Sequence, residues 1–322
     1  MYDVIAVGSA NIDVFAHTAG FIEKRMQGMV AYPVGEKILI EEIRFSTGGG
    51  GTNAAVALAR LGHKVGFVGI LGMDDRGETI RKELKHECVE DLSQDCAEDC
   101  TGYSIVLDSV GHDRTIFVFK GANDHLSYNK IPLKRLKTKW FYFATLLGHS
   151  YSVLEKLAEF AKRKNIKILF NTSSYLVKKG PKFLKRILDS TYILVLNLGE
   201  AQILVGKGGI DDLMKKLRKL GPKIVIITDG KNGVYASDGK FIFFAKPHHV
   251  RVVETTGAGD AFASGFLSGY MRKADIGYGI QVGMLNAESV IQHHGAKNKL
   301  LNKREMESAL RKSPIRVSKR KI

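Results

Sequence analysis

One feature constrains the fold more than any other: from Val65 to Thr228, short apolar runs alternate with amphipathic helical segments. Strands are expected at Val65–Leu71, Trp140–Leu146, Ile166–Asn171, Tyr192–Asn197 and Lys223–Thr228, and helices at Asp75–Cys88, Ser152–Lys164, Pro181–Leu188 and Ile210–Leu220. Runs such as YILVLN and KIVIIT are apolar throughout rather than at every second residue, so both faces of each strand are buried. Repeated βα units with short connections define an α/β fold, a mainly parallel, doubly wound sheet with helices on both faces. In such sheets, ligands gather outside the carboxyl ends of the strands. Tyr2–Val7 adds a further buried strand, with Asp13 expected at or just past its end, where such sheets place ligands, or as a turn carboxylate or a helix cap.

Two stretches break the alternation. Residues 14–45 carry alternating segments (Val30-Ala31-Tyr32, Lys37–Ile43) without a helical period. In Thr101–Lys120, TGYSIVLDS and RTIFVFK flank Val110-Gly111-His112-Asp113, a hairpin pattern. Together, residues of about 14–47 and 101–120 are expected to form a small β lid over one face. Val234–Ala245 reads as a further hairpin with Asp238-Gly239 at its turn. Helices follow at Ala258–Met271, on to His294, and at Asn302–Lys312. No linker interrupts the chain before Ser313, so a single domain over residues 1–312 is expected, followed by a frayed basic tail at 313–322.

Composition matters here for what it removes. With 44% hydrophobic and 25% charged residues in 322, the chain can bury a full core. No apolar run reaches the roughly 18–20 residues of a membrane span. Met1 leads straight into a strand, so no signal peptide is expected. The three cysteines (Cys88, Cys96, Cys100) match no common zinc spacing, and the expected setting is the reducing cytoplasm. The net charge of +16 is spread over many helix faces, with a denser cluster at the C-terminus; this argues for a solvated surface rather than a nucleic-acid footprint. His248, His249, His293 and His294 occur as adjacent pairs, which do not share a helix face, and read as non-metal residues.

Chemistry is concentrated in VVETTGAGDAFASG, residues 252–265. Gly257, Ala258 and Gly259 open a helix whose free N–H groups make an anion site. Asp260 beside that site is either a helix-start carboxylate or a base acting on a group that attacks a phosphate. Gly48–Gly51, followed by Thr52 and Asn53, lies before another helix and lets a ligand meet bare backbone; a flexible connector is the alternative. The dinucleotide fingerprint does not apply, because no buried strand precedes these glycines. Asn197 ends a strand and Glu200 follows one turn later, a pair suited to hydrated Mg²⁺ or to a helix start. Thr228, Gly230 and Gly233 could receive phosphate or ribose, or form a plain turn. Asn171 ends a further strand. Together these describe a phosphoryl-transfer cleft, without Walker A or protein-kinase signatures.

With VGSANID, GGGGTNAAVALARLG, TGYS, KGAN, NLGE, TDGKNG and ETTGAGDAF in that order over nearly the whole chain, the sequence resembles the ribokinase/PfkB family of carbohydrate and nucleoside kinases. The resemblance implies a ribokinase-like fold, ATP and Mg²⁺, Asp260 as catalytic base, and an anion hole at Gly257–Gly259. It also implies Mg²⁺ and phosphates near Asn197 and Glu200, and the nucleotide near Thr228, Gly230 and Gly233. Asn11, Asp13, Gly48, Gly49, Gly50, Asn53, Asn123 and Asn171 are the expected acceptor-binding residues. Ribokinases carry a lysine where this chain has Gly50, and a carboxylate after the strand that here runs into Leu147-Gly148-His149-Ser150; both departures argue against ribose itself. Glu254 replaces the family's Asp, which counts against monovalent-cation activation. The expectation is a cytoplasmic sugar kinase, with a nucleoside kinase and a non-catalytic sugar or nucleotide sensor as alternatives. Membrane partners are not expected and nucleic acid is disfavoured; a homodimer through the lid edges is expected to be feasible.

Overall fold

The computed structural model describes residues 1–17, 34–108 and 114–322. Its main sheet has ten strands. From one edge they run Val317–Lys321, Phe241–Ala245, Val234–Ser237, Ile224–Thr228, Ile193–Asn197, Lys167–Asn171, Thr138–Phe143, Tyr2–Val7, Val65–Val68 and Glu90–Asp91. The strands from Ile224–Thr228 to Glu90–Asp91 are parallel, and those on the other side of Ile224–Thr228 are antiparallel.

Successive residues of the central strands enter opposite cores, as a sheet covered on both faces requires. Val4, Ala6, Trp140, Tyr142, Leu169, Val195 and Ile226 pack with Phe262 and Phe266 on one side. Ile5, Val7, Phe141, Phe143, Ile168, Phe170, Leu194 and Ile227 pack with Leu154, Leu157, Leu184 and Leu213 on the other. The helices Ala258–Lys273 and Ile276–Val290 approach closely through glycine: a Cβ on Gly265 would lie 2.9 Å from the Cα of Gly283. This contact fixes the helix that begins at Gly257–Asp260. Among the described residues, no helix is long and apolar enough to cross a membrane.

A second, four-stranded sheet forms the lid, in the order Glu42–Gly48, Asn11–His17, Gly102–Asp108, Arg114–Phe119. Asp13 pairs with Ser46 on one side and Ser104 on the other, so it sits within a lid strand rather than at a turn. The chain leaves the main sheet at Gly8, and the break there places Asp13 under the lid. On the opposite face, Ile43, Phe45, Ile105, Phe117 and Phe119 are exposed. The Val30–Tyr32 segment and the turn at Val110–Asp113 lie outside the described residues, and Lys37–Ile43 becomes strand only from Glu42.

Several boundaries differ from the sequence expectation; the strand expected at Trp140–Leu146, for instance, runs over Thr138–Phe143. Val65–Leu71 splits at Gly69: Val65–Val68 stays in the main sheet, while Ile70–Gly72 pairs with Gln94–Cys96. The helix from Asp75 ends at His86 rather than Cys88. The C-terminus is not a frayed tail, since Val317–Lys321 adds an antiparallel edge strand to Phe241–Ala245. Buried Ile315 anchors its start, and the Lys319 ammonium lies 3.8 Å from the Phe241 ring centroid. Charge on VSKRK suits an edge strand, because it discourages further pairing.

Candidate active site

Asp260 lies in the first turn of the Ala258–Lys273 helix, and Gly257 caps that helix in the left-handed region at φ 77°. A Cβ on Gly257 would meet Ala296 at 2.5 Å, whereas one on Gly259 would meet nothing within 4 Å. The turn is therefore packed from behind at Gly257 and open in front at Gly259. The Asp260 carboxylate is gripped from two distant parts of the chain. Asn53 Nδ2 donates to Oδ2 at 3.0 Å and Asn171 Nδ2 to Oδ1 at 3.0 Å. Asn171 is itself steadied at 3.0 Å by the hydroxyl of the fully buried Tyr142.

Burial pushes the Asp260 pKa up to about 6; the two amides and the Lys297 ammonium pull it down, and the Asp13 charge pushes it further up. Part of the residue still reaches the cleft surface, but enough protein surrounds the carboxylate for desolvation to dominate. Asp13 is also raised by burial, with Ser104 and Lys297 opposing. Burial and a nearby like charge together move a carboxylate toward titrating close to neutrality.

The glycines before Asn53 have separate steric tasks. A Cβ on Gly48 would stand 1.9 Å from Asp13 Oδ2, so only hydrogen leaves room for that carboxylate. Gly49 adopts φ 94° and backs onto the Ser9 carbonyl. A Cβ on Gly50 would come within 3.6 Å of the Asp260 carboxylate, which places this backbone beside it. Gly51 lets the Gly50–Arg60 helix touch Gly8, and its N–H donates to the Ser9 carbonyl at 3.0 Å. Asn53 Oδ1 is buried and has no protein partner, so it is free for a hydroxyl.

Asn11 and Asn123 bond to each other rather than standing open together. Asn123 Nδ2 donates to Asn11 Oδ1 at 2.9 Å and also to the carbonyls of Ala10 and Lys120, while its Oδ1 accepts from the Ala10 N–H at 2.9 Å. Its amide hydrogens are spent, so its part here is to hold Asn11 and the start of the lid strand.

The second group of expected residues lies together at neighbouring strand ends. Asn197 stands in register with Thr228 across the sheet. Asn197 and Glu200 form a capping box on the Leu198–Val205 helix: Asn197 Oδ1 accepts from the Glu200 N–H at 2.8 Å, and Glu200 Oε2 from the Asn197 N–H at 3.0 Å. The Ser174 N–H also reaches the Glu200 carboxylate; burial raises its pKa, and these N–H groups partly offset that. Both readings of the pair thus remain compatible with the geometry, since a carboxylate has more lone pairs than the cap consumes. Gly230 adopts φ 49° with open space about its Cα, and Gly233 turns at φ 122° against the Ala245 carbonyl.

Sequence reasoning missed the charges behind the site. Lys297 is 5% exposed, and its ammonium donates to Glu83 Oε2 at 2.6 Å and Thr47 Oγ1 at 3.1 Å. Its carbonyl accepts from Arg60, which pairs with Glu87. This cluster ties the lid strand Glu42–Gly48 to the body, and Lys297 draws both Asp13 and Asp260 toward ionisation. Its residues are separated by up to 250 positions, and no local motif announces them. Glu254 accepts from the Gly295 N–H at 2.9 Å, which joins the Asp260 turn to the Lys297 segment.

Asp260 is thus a carboxylate at a helix start, bonded to a strand-end asparagine of a parallel sheet and beside a β lid. The chain's family and relatives make it a phosphotransferase with an alcohol group as acceptor. Residues 1–303 match the family described as pfkB family carbohydrate kinase, and the chain belongs to it. It is 26% identical over 280 residues to a ribokinase of Haemophilus influenzae, covering 84% of this chain and 89% of that protein. It is also 26% identical over 311 residues to a cytidine kinase of Thermococcus kodakarensis, covering 92% and 98%. The Arabidopsis thaliana ribokinase solved with ribose and ATP superposes with a TM-score of 0.83 at 22% identity, covering 97% of this chain and 99% of that one; it has the same fold.

Proposed function

We propose that this chain is an ATP- and Mg²⁺-dependent kinase that phosphorylates a hydroxyl of a small sugar or sugar-like acceptor, with Asp260 as general base. The observation that carries this reading is the Asp260 carboxylate, fixed by Asn53 and Asn171, raised to about 6 and flanked by the open Gly259 backbone. A base held in one orientation and titrating near neutrality suits proton removal from an attacking alcohol.

Bound ATP supplies the phosphoryl group, and Mg²⁺ neutralises its charge. Among the described residues, no three His, Cys, Asp or Glu side chains converge as a metal cage. That fits Mg²⁺ held through water and phosphate beside Asn197 and Glu200, because this ion keeps much of its hydration shell. Thr228 in register with Asn197 and the open space at Gly230 leave room for the nucleotide next to that pair, while Gly233 shapes the turn against the Ala245 carbonyl. Asp13, Ser104 and the free Asn53 Oδ1 offer acceptors to sugar hydroxyls beneath the lid. The Ala258 N–H donates to the Thr255 carbonyl at 3.3 Å, which leaves the N–H groups of Gly257 and Gly259 for the transferring group; such donors each contribute roughly 10²–10³ in rate. The lid excludes water from the transfer.

The test is ADP release from Mg·ATP over pentoses, hexoses, polyols, sugar acids, sugar phosphates and nucleosides. Release with a carbohydrate is the expected result. Preference for a nucleoside would move the acceptor to the class named for the Thermococcus kodakarensis relative. Ligand-induced melting shifts with no ADP release for any acceptor would favour a sensor and overturn the kinase reading.

A further inference from the structure

Phosphoryl transfer develops charge that a cation normally meets, yet Gly50 brings no side chain to the base and the Lys297 ammonium is committed to Glu83 and Thr47. Lys120 differs from Lys297 in this respect. It directly follows the lid strand Arg114–Phe119, and its carbonyl accepts at 3.1 Å from the Asn123 amide that also holds Asn11. Its backbone is thereby fixed to the start of the strand that carries Asp13. Its side chain is part-buried and forms no ion pair among the described residues; Asp124 acts on it only at longer range. The Lys120 ammonium instead lies 5.3 Å from the ring centroid of Tyr175.

Tyr175 closes a five-residue stretch that begins at Asn171. Asn171 grips Asp260, and the Ser174 N–H reaches Glu200, so this stretch runs from the base to the expected Mg²⁺ and phosphate side. Between them, Thr172 Oγ1 and Ser173 Oγ are buried without a partner, and Thr172 is only 8% exposed. Buried hydroxyls left unpaired are uncommon and point to a polar ligand. An ammonium that forms no ion pair among the described residues and lies against Tyr175, at the end of the same stretch, adds the charge such a ligand would need.

We propose that Lys120 is a further catalytic residue, a lid-borne cation that contacts an oxyanion beside Asn171–Tyr175: the phosphoryl group in transit or an anionic group on the acceptor. The proposal rests on the kinase reading above. The glycine loop carries no such charge, and Lys120, the residue after the lid strand, would supply it.

The experiment compares wild type with Lys120→Met, which keeps the apolar stem against Tyr175, and with Lys120→Arg. ADP release is measured with neutral acceptors (pentoses, hexoses, nucleosides) and anionic ones (sugar acids, sugar phosphates). Melting shifts are measured with Mg·ADP, with and without tetrafluoroaluminate. Lys120→Met is expected to lose about 10²-fold in turnover, the scale of one lost oxyanion contact, with the Mg·ADP shift unchanged and Lys120→Arg largely active. Loss on neutral acceptors together with loss of the tetrafluoroaluminate increment assigns the oxyanion to the phosphoryl group. Loss confined to anionic acceptors, with the increment kept, assigns it to the acceptor. Wild-type turnover and an unchanged increment in Lys120→Met overturn the proposal while leaving the kinase reading intact. Absence of ADP release from the wild type defeats the kinase reading instead, and the increment then decides Lys120.

Discussion

Asp260→Asn is expected to lose at least about a hundredfold in turnover, since general-base transfer contributes roughly 10²–10⁴, without a matching loss of stability. Burial raises the Asp260 pKa from 3.8 to about 6, so the folded state binds this proton more tightly than the unfolded chain. Below about pH 4 the group is protonated in both states and favours folding; that contribution fades as pH rises through about 6, where the folded carboxylate ionises. The shift corresponds to about 3 kcal/mol against the ionised wild type above that range. The amide introduced by Asp260→Asn would carry no charge and escape this penalty, although it replaces one of the two accepting oxygens with an NH2 donor, so that either the Asn53 or the Asn171 amide meets a donor, which offsets part of the gain. The melting-temperature difference, variant minus wild type, should therefore become more positive between pH 4.5 and 7.5 in scanning calorimetry. Wild-type-like turnover in the variant would contradict the base assignment.

Gly48→Ala is expected to be the second large effect, and it acts on acceptor binding. The new Cβ would sit 1.9 Å from Asp13 Oδ2, far inside contact distance, so the carboxylate must leave its position between Ser46 and Ser104. Overpacking of this kind costs about 1–3 kcal/mol. If Asp13 holds an acceptor hydroxyl, the larger consequence is a rise in acceptor KM of at least about tenfold, the scale of one lost hydrogen bond to a charged group. The KM for ATP should change little, because Asn197, Thr228 and Gly230 lie at the other strand ends. Equal rises in both KM values would show that the substitution disturbs the cleft as a whole and that Asp13 does not specify the acceptor.

The parts of the molecule that rest on local pattern were legible in the sequence. Continuous apolar runs such as ILVLN and IVIIT reveal strands buried on both faces, and the shift to alternation marks the lid. Glycine before a helix marks the turn at Gly257–Gly259, which the structure places at the start of the Ala258–Lys273 helix. What stayed hidden depends on which distant segments meet. Asn53 and Asn171, expected to bind the acceptor, both hold Asp260, across 207 and 89 positions. Tyr142 reads as core in a run of aromatics, and only the fold shows its hydroxyl steadying Asn171. Lys297 reads as one basic residue among many until Glu83 and Thr47 are seen around it. The edge strand at Val317–Lys321 was obscured because its charges suit both a solvated tail and a guarded sheet edge.

The acid limb of the wild-type pH–rate profile tests the central claim most directly. With a carboxylate base titrating near 6, kcat/KM for the acceptor should fall as pH drops through about 6, tenfold per pH unit at the foot of the limb. The residual activity of Asp260→Asn should lack that limb. A wild-type profile flat from pH 5 to 8, or the same limb persisting in Asp260→Asn, would contradict the assignment of Asp260 as the base.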